Sequence, residues 1–165
     1  MTDDAIADRA RRDLLRHCLA TLAYRGGKVI RGIPDGFAKF RAADGSRSAG
    51  EILAHIGDLL DWAASILEGH QHWQDSGVRG WAAESARFSA GLARLDALLA
   101  GEGALPESVE RIFQGPIADA LTHVGQIAML RRLAGSPVRG ENYFAAAIEV
   151  GRVGPDQAPP KREFG

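Results

Sequence analysis

Apolar residues recur at spacings of three and four along four stretches of the chain, and no stretch shows convincing strand alternation. The first stretch covers about residues 4–24 and places Leu14, Leu15, Cys18, Leu19 and Leu22 on one helical face. Gly26-Gly27 is expected to end it, because glycine adopts the left-handed backbone of a helix C-terminus without strain. The second stretch opens on Ser48-Ala49-Gly50-Glu51, a capping box in which the Ser and Glu side chains satisfy orphan backbone N–H groups. Ile52, Ile56, Leu59, Leu60, Ala63, Ile66 and Leu67 then draw an apolar stripe that stops at Gly69. The third, about residues 81–100, aligns Phe88, Leu92, Leu95 and Leu99 before Gly101 and Gly103. A short turn is expected over residues 106–113. The fourth helix is expected to open at Gly115-Pro116, where a first-turn proline gives up no needed donor, and to close at Gly135 and Pro137.

The pattern predicts an all-α fold: a four-helix bundle with one long crossover connection and an irregular tail from about residue 140. In the fourth stretch, Ile117, Ala120, Leu121, Val124, Ile127, Ala128, Met129, Leu130 and Leu133 surround nearly the whole cylinder. Such a helix sits centrally or turns one side to a partner subunit, so a homodimer is expected. Residues 28–47 form a connector rich in Gly, Pro and basic residues. It reads better as a solvated loop than as an anion-binding strip, with Phe37 and Phe40 pinning it to the bundle. A short helical patch is expected over residues 142–150, followed by a tail broken by Gly151, Gly154, Pro155, Pro159 and Pro160. No internal repeat or long linker divides residues 1–165, which read as one domain.

Composition narrows the class. Twenty Lys plus Arg stand against 21 Asp plus Glu, a formal charge of −1, which argues against a bulk nucleic-acid-binding role. The single cysteine, Cys18, excludes an intrachain disulfide framework and a cysteine-based zinc cluster. The acidic opening Met1-Thr2-Asp3-Asp4 lacks the basic start of a signal peptide. No run approaches the roughly 18 apolar residues of a membrane span. A soluble, cytoplasmic protein with no membrane partner is the expectation.

Chemistry is concentrated in polar residues set inside apolar helices. Asp119, His123 and Gln126 fall within roughly 60° of one another on the fourth helix, at about 100° per residue. His55 lies at the edge of the second helix's stripe, facing the interior. Two imidazoles and a carboxylate can hold one divalent ion and leave coordination positions open, and bundle cores are a recurring place for such sites. The competing reading makes the histidines satisfied core residues and Asp119 a first-turn charge favoured by the helix dipole.

The stretches Glu51-Ile-Leu-Ala-His55-Ile-Gly-Asp-Leu-Leu-Asp-Trp62 and Asp119-Ala-Leu-Thr-His123-Val-Gly-Gln126 resemble the DinB-like family of metal-binding four-helix bundles. His55, His123, Gly125 and Gln126 match its pattern, while Asp119 replaces the first His of its His-x-x-x-His pair. The resemblance implies a divalent metal, zinc or nickel, with iron as a third candidate, on His55, Asp119 and His123. It also implies frequent dimerisation and, in some members, thiol-dependent transfer or isomerisation.

Two functional classes follow. One is a metal-dependent transferase or hydrolase acting on a small electrophile, with Gln126 binding a water or substrate or orienting the site. The other is a non-catalytic, metal-stabilised dimeric bundle or small-molecule binder. Among secondary candidates, His70 and His72 read as positive groups at a helix end rather than a surface metal site. His17-Cys18 is no catalytic pair, because helix neighbours diverge by about 100°. Trp62, Trp73 and Trp81 read as core packing in preference to a pocket mouth. Asp58 is either a partner for the second nitrogen of His55 or a solvated charge. Arg131 and Arg132 could clamp an anion, at least one of them being better read as a helix-end or interface charge.

Overall fold

The computed structural model describes residues 3–165; Met1 and Thr2 of the acidic opening lie outside the described residues. Four long helices form the all-α architecture: α1 (Asp3–Ile30), α2 (Ala49–Leu67), α3 (Trp81–Ala100) and α4 (residues 109–133). They share one apolar core built on Leu19, Leu22, Leu53, Ile56, Leu60, Leu92, Leu95, Leu99, Ile117 and Ile127, all almost fully buried. The capping box opens α2 as its sequence requires: Glu51 N–H donates to Ser48 Oγ at 3.2 Å and Ser48 N–H to Glu51 Oε2 at 2.6 Å.

Two helix boundaries differ from expectation, each for a tertiary reason. α1 runs through Gly26-Gly27 and stops at Ile30. Gly26 marks a close approach to α3 instead of a stop, since a Cβ there would lie 2.5 Å from Cζ of Phe88. The same helix leaves Leu14 66% exposed, off the buried face that Leu15, Leu19 and Leu22 define. α4 begins one turn earlier than Gly115-Pro116, at the Ser108 cap. It runs as Val109–Ile112, a π turn at Phe113–Ile117, and Ala118–Leu133. Pro116 has no N–H for the ladder, and the wide turn takes up the resulting clash. α4 is not central: it packs on α1 and α2, and turns Met129 and Leu133 outward at 51% and 57% exposure.

The helices neighbour one another in the cyclic order α1–α3–α2–α4. Arg12 at the start of α1 reaches Gly101 O after the end of α3, and Trp81 Nε1 at the start of α3 donates to Ile30 O, so α1 and α3 are antiparallel. Arg87 meets Ala54 O and Arg94 meets Glu68, so α2 and α3 run parallel. The connection between them must therefore return along the bundle. Residues 68–80 do so as an extended strap on α2, with His72 N–H donating to Ser65 Oγ at 3.0 Å and Ser76 N–H to Asp58 Oδ2 at 3.4 Å. This strap is the long crossover.

The α1–α2 connector carries a short 3-10 turn, Phe37–Lys39, and is pinned by Phe37, which is 2% exposed and meets Trp81 and Phe40. Buried arginines finish two helix ends. Arg131 donates to Val29 O, Arg31 O and Gly32 O beyond α1, and Arg12 to Gly101 O and Gly103 O beyond α3. Carbonyls left over at a helix C-terminus need such donors. Arg131 is thereby a helix-end residue and not an anion clamp.

The tail lacks the helical patch expected over residues 142–150 and has only a 3-10 turn, Tyr143–Ala145. Instead, Gly140–Glu141 pairs antiparallel with Glu163–Phe164. Buried Glu141 anchors this ladder, accepting from Tyr24 OH at 2.6 Å and Lys28 Nζ at 2.7 Å. Burial, followed by the carboxylate of Glu141, raises the Tyr24 pKa well above the ordinary phenol range. No described helix is long and apolar enough to cross a membrane.

Candidate metal centre

The core-facing stripe of α2 fixes where His55 stands. Ile52, Ile56 and Leu59 turn inward, leaving His55 half-buried at the edge facing α4. On α4, Ala120, Val124 and Ile127 are buried, and Asp119, His123 and Gln126 line the flank toward α2. α2 and α4 run antiparallel, with Trp62 beside Gly115, which brings His55 level with the Asp119–His123 pair.

The three side chains meet. Asp119 Oδ2 lies 3.7 Å from His55 Nε2, and its Oδ1 lies 3.4 Å from His123 Nε2. The imidazole centroids are 4.8 Å apart with their planes at 89°, and one donor atom from each residue falls within 4.8 Å of the others. Tetrahedral zinc, with bonds of about 2.0–2.2 Å, holds its donors about 3.3–3.6 Å apart. The two carboxylate–imidazole separations approach that spacing through different carboxylate oxygens, and with one donor atom from each residue the separations reach up to 4.8 Å. His55, Asp119 and His123 could therefore hold a metal ion.

The surroundings of His55 disfavour its charged form. Burial first, then the positive charge of Arg47 and neighbouring His123, hold the His55 pKa below its ordinary value, with Asp119 and Asp58 pulling the other way. His123 Nδ1 lies 2.8 Å from Gln126 Oε1. With the amide oxygen as acceptor, Nδ1 donates to Gln126 and Nε2 is the ring atom that faces Asp119. Thr122 Oγ1 donates to Asp119 O at 2.7 Å, fixing that turn. Gln126 thus contacts His123 directly, as a side chain that orients the ring would.

The alternative for Asp119 loses its footing, because α4 continues back through the π turn to Val109 and Asp119 does not stand at a free helix end. Asp58 fits neither expectation. It is 3% exposed and ion-paired with Arg87 at 2.6 Å, beside Asp61 and Glu84, and makes no hydrogen bond to His55. Trp73, on the strap, stands edge-on to His55 at 5.7 Å and so borders the site, whereas Trp62, 5.8 Å from Trp73, and Trp81, beside Phe37, pack against the core. His70 is exposed, 3.7 Å from Glu68. Cys18 is half-buried, and burial raises its thiol pKa.

A cavity of about 420 Å³ opens beside His123, which lines it together with Gln126, Ile52, Met129 and Leu133. Arg47 also lines it, a residue that sequence reasoning passed over as a loop charge. Its position next to the Ser48 cap, on the same end of α2 as His55, was the available signal. Comparison with protein-family models, curated proteins and solved structures finds no match for this chain.

Proposed function

We propose that this chain is a metal-dependent enzyme acting on a small electrophilic substrate by thiol-dependent transfer or by hydrolysis. The observation that carries the reading is the convergence of His55, Asp119 and His123, with His123 also lining a small-molecule-sized cavity. Three protein donors leave coordination positions for water or substrate, as catalytic sites require. Zinc or nickel suits a donor set of two imidazoles and one carboxylate, with iron next. The resemblance of the His55 and Asp119–Gln126 stretches to the DinB-like bundles favours the same assignment.

In this reading His55, Asp119 and His123 hold the ion, and Gln126 fixes the tautomer and ring plane of His123. Such an ion supplies Lewis acidity that lowers the pKa of a thiol or water, making it nucleophilic near neutrality. Ile52, Met129 and Leu133 receive the apolar part of the substrate, and Trp73 packs edge-on against His55.

The exposed Met129 and Leu133 favour a second reading, a metal-stabilised dimer without catalytic turnover. Metal analysis of protein purified without an affinity tag, repeated on His55→Ala, tests the common premise. About one divalent ion per chain in the wild type and little in the variant is the expected result; none in either refutes both readings. Sedimentation at micromolar concentration then tests the dimer, which a lone 17.6 kDa species would exclude. Metal-dependent loss of an alkylating electrophile in the presence of a small thiol separates enzyme from structural bundle.

A further inference from the structure

Two arginines precede the buried part of α2, and they are used differently. Arg41 is paired with Glu51 at 2.8 Å and also donates to Ser46 O. Arg47 is exposed, lines the cavity beside the metal centre, and has no hydrogen-bond or ion-pair partner among the described residues. Its charge is nonetheless felt at His55. Of the acidic side chains on α2 and α4 at this end, Glu51 is held by Arg41 and the Ser48 N–H, and Asp119 stands between the two imidazoles. The rest of the lining is largely apolar, with Ile52 from α2 and Met129, Leu130 and Leu133 from α4.

A cation on the rim, an apolar wall and donor side chains at the floor describe a complementary ligand. We infer that the cavity takes a small amphipathic carboxylate, its charged group paired with Arg47, its apolar chain against Ile52, Met129 and Leu133, and its other end toward His123 and Gln126. The guanidinium fork matches a carboxylate with paired N–H donors. Only the assignment of the other end as the reacting end rests on the metal-dependent reading. A divalent ion opposed by Asp119 alone would leave the floor positive as well, reinforcing the preference for an anion.

The test uses metal-free wild-type protein at pH 8 and low ionic strength. Hexanoate and its neutral isostere hexanamide are titrated while the Met129 methyl and backbone amide resonances are followed. Hexanoate should bind roughly 3–10-fold more tightly than hexanamide, the range expected of a partly exposed Arg–carboxylate pair. Arg47→Met should erase the difference, Arg47→Lys should keep part of it, and Leu133→Asp should weaken both ligands. Equal binding of the two ligands, no binding of either, or a preference that survives Arg47→Met overturns the inference. Zinc titration of wild type and Arg47→Met, run in parallel, separates the two readings. A hexanoate preference without zinc binding removes the metal centre and keeps the anion subsite; zinc binding without the preference does the reverse.

Discussion

Replacing Gln126 by Leu removes the acceptor 2.8 Å from Nδ1 of His123 and keeps a side chain of similar reach. The imidazole is then free to carry its proton on Nε2, the nitrogen 3.4 Å from Asp119, where a ligand lone pair is needed. Loss of the partner that orients a metal-binding histidine typically costs about 10–100-fold in affinity, or ~1.4–2.8 kcal/mol. Gln126 is exposed, so water can replace part of the lost bond, and the expected loss is at the lower end, about tenfold. Gln126→Glu places a charged acceptor at the same point and should bind zinc at least as tightly as the wild type. Competition titration against a chromophoric chelator at pH 7.5 measures all three proteins, with circular dichroism melts of the metal-free forms to show intact folding. Zinc affinity of Gln126→Leu within twofold of wild type, or Gln126→Glu weaker than Gln126→Leu, would refute the orienting role.

Asp119→Ala should weaken zinc binding markedly in the same titration, whereas Asp119→His, which completes a three-imidazole set, should retain it. Gly26→Ala and Gly27→Ala both gain about 0.8–1.0 kcal/mol of helix propensity. Only the former drives a Cβ into the buried Phe88 ring, while the latter meets the movable end of Arg31. Urea unfolding should therefore show Gly26→Ala less stable than Gly27→Ala by about 1–3 kcal/mol, and a gap below about 0.5 kcal/mol would contradict the packing account. The Glu51 carboxyl is pushed down to about 2, first by the Ser48 backbone N–H and then by Arg41. Its contribution to stability is complete above the unfolded-state value near 4.5 and is lost as pH falls through about 2. Acid melts of Glu51→Gln should accordingly be less steep in that window than those of the wild type.

Local chemistry was legible in the sequence, and what it missed is non-local. Ser48 and Glu51 act within one turn of each other, so their box is readable from spacing alone. Asp119 and His123 share a face by helical period, and the apolar stripe of α2 sets the direction of His55. Gly26-Gly27 misled because the same residue type that ends helices also admits a close neighbour, and Phe88 is 62 positions away. Pro116 pointed to a helix start, but a π turn lets the helix pass through it. The parallel course of α2 and α3, and with it the strap that carries Trp73 to His55, is a choice of topology that amphipathic periodicity does not encode. Arg131, Arg12 and Asp58 take their roles from carbonyls and charges distant in the chain, so no local window reveals them.

Those arginines also form a mechanical circuit. Going round the bundle, Arg131 clasps α4 to the end of α1, Arg12 clasps α1 to the end of α3, and Arg87 clasps α3 to Ala54 O and Asp58 on α2. Each is a directional fastener that fixes axial register, unlike the apolar contacts beneath it, which permit sliding. Among the described residues, the remaining seam, α2 against α4, is bridged by polar side chains only at His55, Asp119 and His123. A cation drawn between those three would be the fourth clasp. Its arrival would lock the one seam left free to slide and, with Ile52 on α2 and Met129 on α4, set the width of the cavity between them.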